Sequence, residues 1–109
     1  MTIYKILPRV LWDEAVTKGS FDGSPVDIAD GFIHFSTAAQ APETAAKHFQ
    51  GMKDLLLVAV EADDLGEALK WERSRGGDLF PHLYATLPVT RALTVQPLVE
   101  GLRDLSTET

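Results

Sequence analysis

The sequence predicts one small α+β domain, and three observations support this prediction. The chain has 109 residues, which fit one domain and leave no room for two independent cores. Hydrophobic residues make up 45% of it, an ordinary share for a soluble globular protein. Segments with strand periodicity alternate with segments of helical spacing. We expect one domain over residues 1–109, with a core at about 1–99 and a frayed polar tail at 103–109.

The composition excludes several classes of function. The formal net charge of −6 argues against general nucleic-acid binding, because neutralising phosphates requires clustered Lys and Arg. Cysteine is absent, so the chain has no disulfide, no thiolate metal cluster and no cysteine nucleophile. The first residues lack the features of a signal peptide, and no apolar run approaches the roughly 18 residues of a membrane span. We therefore expect a cytoplasmic protein with no membrane partner.

The first third of the chain predicts a strand, a helix and a long loop. Residues 2–7 predict a short strand. Pro8 suits a first helical turn, and the helix is expected to continue to Lys18, where Gly19 is a C-terminal signal. Residues 19–31 are rich in turn formers and predict a loop, whose length is typical of binding loops.

The middle of the chain predicts two further strands with a helix between them. Residues 32–35 predict the second strand, and residues 55–60 are a continuous apolar run typical of a central strand buried on both faces. Thr37 and Gln40 have the spacing of a capping box, which indicates a helix start. Pro42 leaves two alternatives: either the first turn is separate and the main helix begins at Pro42, or the helix is kinked there.

The last third predicts shorter elements. Residues 63–69 predict a helical turn and 70–74 an extended segment, which a Gly-Gly turn follows. Residues 80–87 are predicted to be irregular between two prolines, and residues 92–98 predict the last strand. This order of elements predicts an α+β domain with two main helices.

The first chemically distinctive stretch is residues 30–37. In a strand, alternate side chains share one face, while the intervening ones face the core. The residues on the shared face are Phe32, His34 and Ser36. A histidine just before a helix N-terminus is well placed to meet an anionic ligand, because free N–H groups and a partial positive charge lie there. The alternatives are that His34 only packs in the sheet and that Thr37 only caps the helix.

The second stretch, residues 71–84, collects polar and aromatic side chains around the Gly-Gly turn. Arg binds carboxylate or phosphate with two hydrogen bonds, and Tyr or Trp can stack on a planar ring. The alternative is an Arg–Glu surface pair beside a turn, with the aromatic rings in the core. The candidate functional residues of this stretch are Trp71, Glu72, Arg75, His82 and Tyr84.

Common catalytic and metal-binding signatures are absent. The chain has no G-x-S-x-G elbow, no phosphate-binding P-loop, no dinucleotide fingerprint and no H-E-x-x-H motif. Its three histidines lie far apart and lack the local spacing of zinc ligands, so no metal ligand is assigned. A metal-assisted hydrolase that uses His34, His82 and Glu72 is kept as an alternative.

Together the two stretches resemble the bacterial domain-of-unknown-function family 952. The motifs are Gly31-Phe32-Ile33-His34-Phe35-Ser36-Thr37, Lys70-Trp71-Glu72, Ser74-Arg75-Gly76-Gly77 and Phe80-Pro81-His82-Leu83-Tyr84. The resemblance extends over nearly the whole chain, and it implies a small relative of the ADP-ribosyltransferase fold, a split, mixed β-sheet whose central cleft binds NAD in the enzymes. His34-Phe35-Ser36 is similar to half of the His-x-His-Leu-Ser strand of the tRNA 2′-phosphotransferases.

The resemblance implies a nucleotide ligand, with NAD as the candidate substrate; no cofactor is assigned. In this view His34 contacts ribose or phosphate, Arg75 neutralises phosphate, and Glu72 polarises an acceptor hydroxyl. Tyr84 or Trp71 would stack on the base or nicotinamide. The candidate catalytic residues are His34, Glu72 and His82, and the candidate ligand-binding residues are Lys5, Ser36, Thr37, Trp71, Arg75 and Tyr84. The second hypothesis is a non-catalytic module that kept the fold and binds a nucleotide, a modified peptide or a small anion.

Overall fold

The computed structural model describes residues 1–107, apart from the side chains of Arg75 and Thr107. Its α-helices are α1 (Arg9–Lys18), α2 (Pro25–Asp30), α3 (Ala41–His48) and α4 (Leu98–Thr107). Its strands are β1 (Thr2–Pro8), β2 (Ser20–Phe21), β3 (Ile33–His34), β4 (Ser36–Thr37), β5 (Leu55–Glu61), β6 (Leu69–Arg73), β7 (Leu79–Leu83), β8 (Leu87–Pro88) and β9 (Ala92–Pro97). Short 3₁₀ segments cover Ala62–Ala68, Arg75–Gly77 and Val89–Arg91. No helix within these residues is long and apolar enough to cross a membrane.

The strands form three antiparallel sheets. The largest has the order β4-β1-β5-β9, the second β3-β7-β6, and the third pairs β2 with β8. Every strand pair in the described chain is antiparallel, so the expectation of a mixed sheet is wrong, although the α+β class and the division into several sheets are confirmed. Strand periodicity reports which faces are buried but not strand direction, and the long connection from β1 to β5 allows either direction.

The core lies on both faces of the β1–β5 pair. One face packs against α1, through Trp12 and Ala15, and the other packs against α3 and α4. Alternation along β1 and β5 supplies both layers, as the apolar run at 55–60 predicted. The side chains of the first layer include Ile3, Leu7, Leu56, Val58 and Val60, and those of the second include Tyr4, Ile6, Leu57, Ala59 and Leu105.

Residues 19–31 contain β2 and α2, so the predicted loop is wrong. Pro25 occupies the first turn of α2, and the Asp27 carboxylate accepts a 2.8 Å hydrogen bond from the Ser24 N–H. This is the reciprocal arrangement of a capping box, which the Ser-Pro-x-Asp spacing encodes. The abundance of turn formers concealed the short helix.

The stretch at 80–87 and the carboxyl-terminal tail also differ from expectation. The structure has strand β7 where an irregular segment was predicted; Pro81 is tolerated there because β3 pairs only with His82 and Leu83. The tail predicted at 103–109 is helical as far as Thr107, because α4 packs its apolar side on β5. With α2 and α4, the described chain has four α-helices instead of two main ones.

The strand predicted at 32–35 is divided between two sheets, and this division shapes the site. β3 pairs with β7 and β4 pairs with β1, while the Phe35 N–H between them donates to the Pro81 carbonyl at 3.0 Å. Thr37 and Gln40 make the expected reciprocal hydrogen bonds, at 3.2 and 3.0 Å, but around a separate turn. α3 then begins at Ala41 with proline in its first turn, so the separate-turn alternative is confirmed.

Gly101 allows α4 to approach β5 closely, and a larger side chain there is expected to destabilise the protein. A Cβ atom at this position would lie 2.7 Å from Cδ2 and 3.0 Å from Cβ of Leu57. We expect Gly101→Val to lower the free energy of unfolding by about 1–3 kcal/mol in urea denaturation, because it overpacks this contact. Arg103→Val on the exposed side of α4 is the matched control and should change it by less than about 0.5 kcal/mol. Equal effects of the two variants would contradict this account.

Candidate functional site

A cleft of about 680 Å³ opens between α1, α2, α3 and the neighbouring ends of the two larger sheets. Its lining combines polar and apolar side chains. The polar ones include Lys5, Asp30, His34, Ser36, Thr44 and His82. The apolar ones include Tyr4, Ile6, Val26, Phe49, Met52 and Phe80. A cavity of this size, with a few polar groups among apolar ones, is typical of small-molecule sites.

Asp27 is a buried residue that contacts two of the polar residues of the cleft, Lys5 and His34. Its carboxylate is 1% exposed and lies 2.8 and 3.0 Å from the Nζ atom of Lys5. It also lies 2.6 Å from Nδ1 of His34 and accepts a 3.1 Å hydrogen bond from the His34 N–H. Since α2 carries Asp27 and β3 carries His34, the short helix fixes the orientation of the imidazole on the sheet.

The buried pair of Lys5 and Asp27 is ionic in this arrangement. Burial raises the pKa of Asp27, but the hydrogen bond with His34 and the positive charge of Lys5 outweigh it, so the pKa lies well below its usual range. Burial lowers the pKa of Lys5, and the charge and hydrogen bond of Asp27 oppose that effect. Because both oxygens of Asp27 lie within 3.0 Å of the ammonium, we assign the pair as charged.

His34 contacts a second carboxylate on the side that faces the cleft. Its Nε2 atom lies 3.0 Å from Oδ2 of Asp30, the last residue of α2. Asp30 is 48% exposed, in contrast to the buried Asp27. The imidazole of His34 is therefore held between an inner and an outer carboxylate.

His82 is the second histidine of the cleft and is bound to a different carboxylate. It lies directly opposite His34 where β3 pairs with β7, and the two ring centroids are 5.5 Å apart. Its Nδ1 atom lies 2.8 Å from Oε1 of Glu72, which also accepts a 2.7 Å hydrogen bond from the Tyr84 hydroxyl. The ring of Phe32 packs against both imidazoles, with centroids 4.6 Å from His34 and 4.1 Å from His82.

Hydrogen bonds at Glu72 shift the pKa values of Glu72 and Tyr84. The hydrogen bond from Tyr84, and then that from His82, lowers the pKa of Glu72. The same hydrogen bond to Glu72 raises the pKa of the Tyr84 phenol. Glu72 is therefore a carboxylate near neutral pH. It can accept a hydrogen bond from Nδ1 of His82 when that nitrogen carries a proton.

The structure brings together many of the residues that the sequence singled out. Lys5, His34, Ser36 and His82 line the cleft, and the Ser36 hydroxyl lies 2.9 Å from that of Thr44. Glu72 and Tyr84 are joined to this group through His82, although neither is among the described lining residues. Thr37 takes part in the turn before α3 and does not line the described cleft.

Trp71, a further candidate, does not join the cleft. Trp71 lies opposite Pro81 in the β6–β7 ladder, whereas Glu72 lies opposite Phe80. Because side chains alternate along a strand, Trp71 is on the other face of this sheet, where it is 39% exposed. The side chain of Arg75 lies outside the described part of the chain, so its contact with phosphate stays a prediction.

Asp27 and Asp30 are candidate site residues that the sequence reasoning did not select. Both lie in the segment predicted to be a loop. The capping-box spacing from Ser24 to Asp27 was the available signal, because it predicts a short helix whose carboxylates lie just before the His34 strand. Nothing in the local sequence connects Asp27 with Lys5, which is 22 residues away.

The described residues do not form a recognisable metal centre. No group of three or more His, Cys, Asp or Glu side chains in the part of the chain that the structure describes could hold a metal ion. Both ring nitrogens of His34 and one of His82 are already next to carboxylates. The geometry therefore gives the metal-assisted hydrolase no support.

The chain is a small α+β protein in which two histidines, each next to a carboxylate, meet in a cleft between antiparallel sheets. The chain belongs to the family described as "Protein of unknown function (DUF952)", whose model matches residues 6–95. This confirms the family resemblance seen in the two sequence stretches.

Solved structures support the same fold. The crystal structure of protein CC0527 from Caulobacter crescentus is 57% identical, covers 89% of this chain and 85% of its own, and has a TM-score of 0.87. The solution NMR structure of CC0527 is also 57% identical, covers 88% of this chain and 83% of its own, and has a TM-score of 0.80. No curated protein matches the chain.

Proposed function

We propose that the cleft binds NAD or a related nucleotide and that the protein is an ADP-ribosyltransferase-like domain that transfers ADP-ribose or a phosphate-linked group. The observation that carries this proposal is that His34, Ser36 and His82 line one cleft together with apolar side chains. The resemblance implied ligand contacts for His34 and Ser36, and both line this cleft.

The shape and chemistry of the cleft support a ligand with a planar base and a ribose. The side chains of Phe49 and Phe80 line the cleft and could remove a base or nicotinamide from water. Hydroxyl and imidazole groups in the same lining can bond ribose hydroxyls. The volume of about 680 Å³ lies within the usual range for small-molecule sites.

The reaction would use His82 as the base that activates an acceptor. The bond from C1′ of the ribose to nicotinamide breaks, a bond from C1′ to the acceptor oxygen forms, and the hydroxyl proton of the acceptor moves to Nε2 of His82. Nicotinamide leaves as a neutral molecule. Glu72 holds Nδ1–H of His82, which keeps the lone pair on Nε2. Asp30, a carboxylate that lines the cleft, would stabilise the cation-like transition state.

A non-catalytic binding module is the second candidate function, and the position of Glu72 favours it. The resemblance implied that Glu72 polarises the acceptor directly, but its carboxylate is occupied by His82 and Tyr84. In this case the same cleft would bind a nucleotide, a modified peptide or a small anion without transfer.

NMR titration with NAD tests the proposed ligand. We expect millimolar NAD to shift the amide signals of His34, Ser36 and His82, and Ser36→Ala to weaken binding roughly fivefold through the loss of one hydrogen bond. Ser106→Ala on α4, outside the described cleft lining, is the matched control and should leave the affinity unchanged. If millimolar NAD leaves the signals of His34 and its neighbours unmoved, the cleft is not an NAD site.

A further inference from the structure

Both ring nitrogens of His34 lie close to carboxylate oxygens. Nδ1 lies 2.6 Å from Asp27, with which it shares a hydrogen bond, and Nε2 lies 3.0 Å from Asp30. A carboxylate oxygen repels the lone pair of a bare ring nitrogen, so the two contacts are favourable together only when each nitrogen carries a proton. The two contacts therefore define a positively charged imidazole between two negative groups.

The two carboxylates differ in how firmly they are held. Asp27 is buried and is also bound by Lys5 and by the Ser24 N–H. Asp30 is half exposed, and His34 is its partner among the side chains that the structure describes. Asp30 also ends α2, where a negative charge is unfavourable to the helix. Asp30 is thus the carboxylate that another group can replace.

The charges of Lys5, Asp27, Asp30 and His34 determine which charge a group that replaces Asp30 must have. Lys5 and His34 are positive and Asp27 and Asp30 are negative, so the four side chains together are neutral. When Asp30 moves away, one positive charge is left next to a buried ion pair, which is costly without compensation. A neutral group at Nε2 leaves this charge unpaired, whereas one negative charge restores neutrality.

We propose that Nε2 of His34 binds a singly charged oxyanion group of the ligand, and that Asp30 occupies this position when no ligand is bound. A phosphodiester and a carboxylate share this chemistry. The inference deepens the proposed function because it concerns the same cleft, but it does not require the ligand to be NAD.

Nucleosides that differ only in the 5′ group test this subsite. The probes are adenosine, which is neutral, adenosine 5′-(methyl phosphate), and adenosine 5′-carboxylate. Dissociation constants are measured by NMR on the amide signals of Ser36 and His82, which every variant retains. We expect Asp30→Asn to bind both charged probes about tenfold more tightly than the unsubstituted protein. A gain of this size is expected if Nε2 of His34 is free of Asp30 in about a tenth of the unsubstituted molecules and in most molecules of the variant. Adenosine should change less than twofold. The two charged probes show whether phosphodiester or carboxylate is preferred.

Two control variants make the result specific. Asp64→Asn removes the same charge at an exposed position outside the cleft lining and should alter no probe by more than twofold. His34→Gln should abolish the preference for charged over neutral probes. An equal gain for all three probes with Asp30→Asn, no gain, or no binding of the charged probes overturns the inference. A gain without any NAD binding would support the subsite and refute NAD as the ligand, whereas NAD binding without a gain would support NAD as the ligand and refute the subsite.

Discussion

Replacement of Asp27 with asparagine is expected to lower the free energy of unfolding by about 3–5 kcal/mol, the usual cost of removing one partner from a buried ion pair. Lys5 is 5% exposed, and its ammonium would lose its negative partner without gaining water. The same substitution removes the acceptor that fixes Nδ1 of His34, so the cleft should lose its geometry together with its stability.

Urea denaturation monitored by tryptophan fluorescence measures this loss. Asp22→Asn is the matched control, since it changes an exposed carboxylate next to α2 and should cost less than about 1 kcal/mol. Lys5→Met alone should also be costly, while the double variant Lys5→Met/Asp27→Leu should cost less than the two single changes added together. If Asp27→Asn and Lys5→Met each lower the free energy of unfolding no more than Asp22→Asn does, the pair is not a charged one.

The pH dependence of stability gives a second readout of the same carboxylate. The pKa of Asp27 in the folded protein lies below its unfolded value. Its contribution to stability is therefore complete at pH values above the unfolded pKa and is lost as the pH falls toward the lower folded pKa. We expect the free energy of unfolding to decline on acidification over this range. The Asp27→Asn variant should lack the part of this decline that is due to Asp27.

Periodicity predicted the parts of the fold whose burial is encoded locally. The strand predicted at residues 2–7 and the buried strand predicted from the apolar run at 55–60 depend on which faces are covered, and the structure confirms both. Strand direction and the division at Phe35 depend on distant partners, so no local pattern contains them. α2 was predictable in principle, because a capping box and a proline mark its first turn.

The site was predicted in part for a similar reason. His34 and Ser36 stand out because they lie on or next to a predicted apolar strand, and His82 stands out as a polar residue in a segment predicted to be irregular. Pairing of β3 with β7 brings the two histidines together. The partners that define their chemistry are contributed by other elements. Asp27 reaches both Lys5 and His34 only after α2 packs below β3, and Trp71 is excluded by a ladder register that the sequence does not specify.

Glu72→Gln is expected to separate an enzyme from a binding module. In the transferase mechanism Glu72 positions His82 for proton transfer, so the variant should lower the rate of nicotinamide release from NAD by roughly 100- to 10,000-fold. The affinity for NAD should change less than twofold, because Glu72 is not among the described residues that line the cleft. A binding module would release no nicotinamide before or after the change.

A spectroscopic signature shows whether Glu72 acts through its charge. Since the hydrogen bond to Glu72 raises the pKa of Tyr84, ultraviolet titration of Glu72→Gln in a Tyr4→Phe background should show that pKa moving down toward its ordinary value. Tyr84→Phe keeps the contact between Glu72 and His82 and should retain most of the activity. A fall in the Tyr84 pKa with unchanged nicotinamide release would assign Glu72 to structure alone, because the carboxylate would then be lost without any effect on the proton that His82 accepts.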